Sequence, residues 1–213
     1  IWNAQNRAKF EKWEYNRTDI PPHTGATAWL YRIFEHQAVC GVQRALDNDL
    51  KVNKLLAKQV AERKFPKTVR YRAILWNTPC NNYANFNNWL LNCWGIDSVC
   101  EMIDIHGTEQ IDTSSRENML FGIAKMFQTS TMRAHTKGGY EVMVDDLWQK
   151  YAEYNCDMII LFDQISCKGV GAINGIFEEG AKKRGLLMCT VRQDLMDPVS
   201  YTHLRAHETD QYL

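Results

Sequence analysis

One tripeptide in this sequence of 213 residues joins a reactive side chain to surroundings that would activate it. Ser166-Cys167-Lys168 follows the apolar run MIILF (158–162) and precedes a glycine-containing helical stretch. A thiolate at such a strand-to-helix junction faces the positive end of the helix macrodipole and the ammonium of Lys168, and both favour thiolate over thiol. That chemistry suits a metal ligand or a nucleophile. A loop cysteine beside a Gly-rich turn is the plainer alternative, and the residues alone leave both open.

The second chemical segment is NTPCNNYANFNN, after the run YRAILWN (71–77). Its side-chain amides could hydrogen-bond a polar substrate such as a thioester or its pantetheine arm, with Cys80 and Asn81 lining the pocket. Equally, Asn and Pro build turns. His106 is a candidate acid or base, and Arg133 with His135 a candidate phosphate contact; a surface histidine and a solvated helix end are the alternatives. The stretch GVGAING spaces its glycines as G-x-G-x3-G, which is not the G-x-G-x-x-G of a dinucleotide-binding turn. His203 and His207 have metal-ligand spacing, but they lie in VSYTHLRAHETDQYL, which has no apolar period and no capping logic and resembles translated sequencing-adapter read-through. Residues 199–213 are therefore set aside as an artefactual tail.

Composition limits the rest. The chain has 25 basic and 25 acidic side chains, so it lacks the basic excess of a general nucleic-acid or anionic-membrane binder. No apolar run approaches the roughly 20 residues that span a bilayer, and the start has no signal-peptide pattern; a cytoplasmic protein is expected. The seven cysteines are odd in number and include no CxxC, which argues for free thiols over a disulfide framework or a zinc knuckle.

These residues need elements to hold them. Residues 1–66 contain no convincing strand; Thr24 caps a helix through AWLYRIF, and Val42, Ala45, Leu46, Leu55, Leu56 and Val60 mark a longer one. This reads as a helical connector. From 67 to 198, short apolar runs at 71–77, 98–104, 158–162 and 186–191 alternate with helices. The first helix buries Phe86, Trp89, Leu90 and Cys93. The second opens on a Ser114/Glu117 capping box and turns Met119, Leu120, Ile123, Met126 and Phe127 to one face. The last carries Val170, Ile173, Ile176 and Phe177. Strands alternating with helices predict an α/β fold, a doubly wound parallel sheet of Rossmann-like or flavodoxin-like type with about four strands. MIILF, without polar alternation, should be central.

The segment from Asp157 to Pro198, with D-M-I-I-L-F-D-Q-I-S-C-K, a helix, a Gly-Leu-Leu strand entry and D-L-M-D-P, resembles the C-terminal part of 2-hydroxyacyl-CoA dehydratase and benzoyl-CoA reductase subunits. IPPHTG and RAILWNTP look like that family's connector and second-domain start, so the resemblance runs over roughly residues 18–198. It implies a 4Fe-4S cluster held by three subunit cysteines, the last of them Cys167, with the other two in a preceding domain that this chain would lack as an inactive fragment. It implies a related second subunit, a separate ATP-hydrolysing activator and an acyl-CoA substrate that loses water through a ketyl radical. The electron would come from the low end of the iron-sulfur range, roughly −700 to +450 mV. Aromatic-ring reduction of the benzoyl-CoA type, and a non-catalytic partner subunit with Cys167 structural, are the alternatives.

Overall fold

The computed structural model describes residues 1–22, 24–31, 39–64, 68–77, 83–105, 109–131, 139–165 and 167–193. The elements are α1 (Trp2–Tyr15), α2 (Gly25–Tyr31), α3 (Gln43–Ala61), β1 (Tyr71–Trp76), α4 (Tyr83–Trp89), β2 (Ile96–Glu101), α5 (Arg116–Thr129), α6 (Tyr140–Glu153), β3 (Met158–Gln164), α7 (Lys168–Gly171), α8 (Asn174–Lys183) and β4 (Leu187–Gln193).

The four strands form one sheet in the order β2-β1-β3-β4, every pair parallel. The expected doubly wound parallel sheet is present, with the MIILF strand in its interior. Ala73 to Trp76 of β1 and Ile159 to Phe162 of β3 are buried because helices cover both faces. On one face Phe86 of α4 and Leu90, in the π-helical turn that continues it, lie over Ala73, Leu75, Ile160 and Phe162. On the other, Met143 and Leu147 of α6 and Phe177 of α8 lie over Ile74, Trp76, Ile159 and Leu161. The chain steps one way from β1 to β2 and the other way from β2 to β3 and β4. Its helices change face when the direction changes, as a constant right-handed crossover requires.

The helical region before the sheet is built differently from its sequence texture. α1 has no apolar stripe; its inward residues include Gln5, Asn6 and Lys12 beside Ala8 and Trp13. It packs on α3 through polar groups that find partners: Asn53 Nδ2 donates to the Ala8 carbonyl at 2.9 Å, and Lys12 pairs with Asp49. Thr24 caps α2 as expected, its Oγ1 accepting from Thr27 N at 3.4 Å. α3 buries Ala45, Leu46 and Leu56, whereas Val42 and Leu55 are exposed. Arg72 at the amino end of β1 ties this region to the sheet, its guanidinium donating to the carbonyls of Asn16, Thr18 and Tyr154.

Three expectations need correction. Cys93 is exposed, because it falls in the π-helical turn after α4, past the part that faces the sheet. α5 is capped one residue later than expected, by Ser115, whose Oγ accepts from Asn118 N at 3.0 Å. None of its residues is buried, and Leu120, Phe121 and Phe127 are 58%, 73% and 62% exposed. The contacts of α5 run through its polar side instead: Asn118 Nδ2 donates to Asp112, Thr129 Oγ1 to Glu109, and Gly122 lies against Ile111. That preceding segment is itself tied to α1 by Asn3, which exchanges two hydrogen bonds with the Ile111 backbone, so α5 rides on it and not on the sheet. Finally, the single helix expected after Cys167 is two, a one-turn α7 and then α8, where Gly169, Gly171 and Gly175 weaken helix propensity.

Candidate functional site

In an open parallel sheet a ligand crevice forms beyond the carboxyl ends of the strands where the strand order reverses. Here that point lies between β1 and β3, since β1 leads to β2 on one side while β3 flanks it on the other. Asn77, which ends β1, and Cys167, in the turn after β3, follow the two strands that flank this point.

β1 ends at Asn77, whose φ of +71° is left-handed, a conformation that asparagine tolerates better than most residues. The turn sends its amide across the switch point, where Nδ2 donates to the Phe162 carbonyl of β3 at 3.1 Å. Its Oδ1 is buried and accepts no hydrogen bond from any described residue.

β3 pairs with β4 to its end, and three polar positions close that edge. Asp163 is buried and accepts from Arg192 Nε at 2.9 Å, while the Arg192 side chain is 73% exposed. Gln164 and Gln193, opposite one another, are buried too. The chain then turns: Cys167 N donates to the Gln164 carbonyl, and the Cys167 carbonyl accepts from Gly171 N, each at 2.9 Å. Cys167 is thus half-buried at the start of α7, with Lys168 exposed beside it. The expected position past a buried strand is found, but the macrodipole behind it is that of one turn and not of a full helix.

Cys80, Asn81 and Ser166 lie outside the described residues, as do His106, Arg133, His135, His203 and His207. The described cysteines form no disulfide, and Cys40 lies beside Trp2, Gln5 and Lys9 while Cys93 lies beside Thr68 and Arg70, before β1. Cys189 pairs with Ile160, four residues before the end of β3 at Gln164, or about 13 Å back along the sheet. Cys100 is level with Ile159, through Ile74. Cys156 precedes β3 at the opposite edge, where burial pushes its thiol up to about 12. Cys167 is therefore the one described thiol at the carboxyl edge. No group of three His, Cys, Asp or Glu among the described residues could hold a metal ion. By donor set, these residues fit the contribution of one thiolate and do not by themselves make a cluster site.

Asn77 is the first amide of the segment NTPCNNYANFNN, whereas the Asp163–Arg192 pair at the same edge is not among the residues singled out in the sequence. Their signal was present: each of the runs AILWN and IILFDQ ends by placing an amide or carboxylate directly after fully buried apolar residues.

No described helix is long and apolar enough to cross a membrane. A comparison with curated proteins finds no match. The family model for 2-hydroxyglutaryl-CoA dehydratase, D-component, matches residues 1–206, which takes in the α1–α3 region as well as the whole sheet, and the chain belongs to that family.

Proposed function

We propose that this chain is part of the subunit of a 2-hydroxyacyl-CoA dehydratase that presents the carboxyl edge of its sheet to the thioester and gives one thiolate, Cys167, to a 4Fe-4S cluster. Family membership makes it a component of a dehydratase, a lyase that works with a partner subunit. The observation that carries the finer reading is the position of Cys167, half-buried and alone among described thiols at the edge next to the β1–β3 switch point. When bound, the cluster would supply low-potential one-electron chemistry, with the electron delivered by a separate ATP-hydrolysing activator. The residues of this chain have simpler tasks. β1 and β3 are rigid, buried strands that fix the crevice, and Asn77 and the Asp163–Arg192 pair offer fixed polar groups at its rim.

The test is anaerobic purification of the dehydratase complex containing this chain, wild type and Cys167→Ala. Loss of iron and of the visible iron-sulfur absorption in the variant, with the thermal midpoint unchanged, is the expected result. Unchanged iron content removes Cys167 from the ligand set. Activity is then measured with activator, ATP and a panel of 2-hydroxyacyl-CoA esters, and turnover of benzoyl-CoA in their place would reassign the reaction.

A further inference from the structure

The amide of Asn77 is used on one side only. Its Nδ2 fastens β1 to β3 through the Phe162 carbonyl, but its Oδ1 is buried at the switch point and accepts no hydrogen bond from any described residue. A buried acceptor left without a donor is costly. The backbone at φ +71° is also one that glycine would occupy without strain. Two costs thus fall on one residue, and what the asparagine provides in return is a fixed acceptor at the carboxyl end of β1, beside the β1–β3 switch point. Arg192 Nε, at the same edge of the sheet, is held by Asp163.

We propose that Asn77 Oδ1 accepts a hydrogen bond from the bound thioester. A carbonyl oxygen recognises an N–H or O–H group, and a 2-hydroxyacyl-CoA offers both, the acyl 2-hydroxyl and the pantetheine amides. The assignment rests on the reading that the substrate occupies the β1–β3 crevice. Asn77 is then a binding residue that sets the depth and orientation of the thioester, while its Nδ2 keeps that geometry fixed by holding the two strands together.

The experiment uses the dehydratase complex containing this chain and measures equilibrium binding of 2-hydroxyglutaryl-CoA, glutaryl-CoA and CoA to wild type, Asn77→Gly and Asn77→Asp, alongside thermal midpoints. Glycine suits the left-handed backbone but removes the acceptor; aspartate keeps an acceptor and loses the donor to Phe162. The expected result is binding of 2-hydroxyglutaryl-CoA about 3- to 10-fold weaker in Asn77→Gly and within about 2-fold of wild type in Asn77→Asp. If the loss disappears with glutaryl-CoA, the donor is the 2-hydroxyl; if it persists with all three ligands, the donor is a pantetheine amide. Equal affinities of wild type and Asn77→Gly for every ligand overturn the assignment, and so does an equal loss in both variants, which would reduce Asn77 to its strand bridge. Failure of the wild-type complex to bind any of the three overturns the reading of the crevice itself.

Discussion

Lys12 and Asp49 meet as an ion pair inside the α1–α3 interface, where their side chains are 3% and 0% exposed. Two charges removed from water need each other more than the fold needs them. Taking away one partner strands the other in a dry interface, whereas replacing both with apolar side chains of similar volume removes the desolvation cost on both sides.

Asp49→Ala should therefore destabilise the protein by about 3–5 kcal/mol, and Lys12→Met combined with Asp49→Leu should recover most of that loss. Denaturant unfolding of Lys12→Met, Asp49→Leu and their double variant measures the coupling. A double variant as unstable as the sum of the singles would mean that the pair acts independently through other contacts.

This pair also shows where sequence reading reaches its limit. The strands and their order of burial were legible because a run such as MIILF has no polar alternation and needs cover on both faces. α1 was not, because its inward face carries polar residues such as Gln5 and Lys12, whose partners Gly41 and Asp49 lie tens of residues away in sequence. α5 misled for the converse reason. Its apolar stripe is real, but its contacts with the 109–112 segment run through Asn118, Gly122 and Thr129. At the site, Cys167 was legible from its place after a buried strand. Asn77 was legible only as one amide of NTPCNNYANFNN, since what sets it apart is a neighbour, Phe162, reached only when β1 and β3 pair.

Arg72 fastens the helical region to the sheet. Its guanidinium meets the carbonyls of Asn16, Thr18 and Tyr154, a fan of acceptors that the single ammonium of lysine does not match. Arg72→Lys should cost about 2–4 kcal/mol and speed proteolysis within residues 1–22 more than within the sheet. Uniform protection across the chain would show that α1 docks without this arginine.

Asp97 gives the fold a pH dependence. It is buried at the start of β2, where Gly25 N donates to its Oδ1 at 3.2 Å, Arg72 attracts its charged form and Glu101 repels it. Burial dominates and raises the carboxyl from 3.8 to about 7. The sign follows directly. Between these values the native state holds a proton that the unfolded chain has lost, so this group's contribution is full below pH 3.8 and declines as pH rises to about 7. Asp97→Asn should flatten that slope and raise stability at pH 8 by on the order of a few kcal/mol, with little change near pH 4. Urea unfolding of both proteins at pH 4, 6 and 8 reads the difference; identical slopes would place the titration elsewhere.

The apolar face of α5 yields a prediction in which stability and surface behaviour part company. Met119, Leu120, Phe121, Ile123 and Phe127 are 37–73% exposed, while Asn118, Gly122, Lys125 and Thr129 form the side that meets the 109–112 segment. Side chains already in water have little burial to lose, so Leu120→Gln with Phe127→Gln should leave unfolding free energy within about 0.5 kcal/mol of wild type. The same double substitution should sharply reduce binding of a hydrophobic dye to the isolated chain, because a contiguous apolar patch is what such a dye reports. Phe177→Ala is the control: fully buried between α8 and the sheet, it should cost about 3–5 kcal/mol. If the α5 double variant costs as much as that control, its apolar face is packed in the native protein and the seating of the helix by its polar side is wrong.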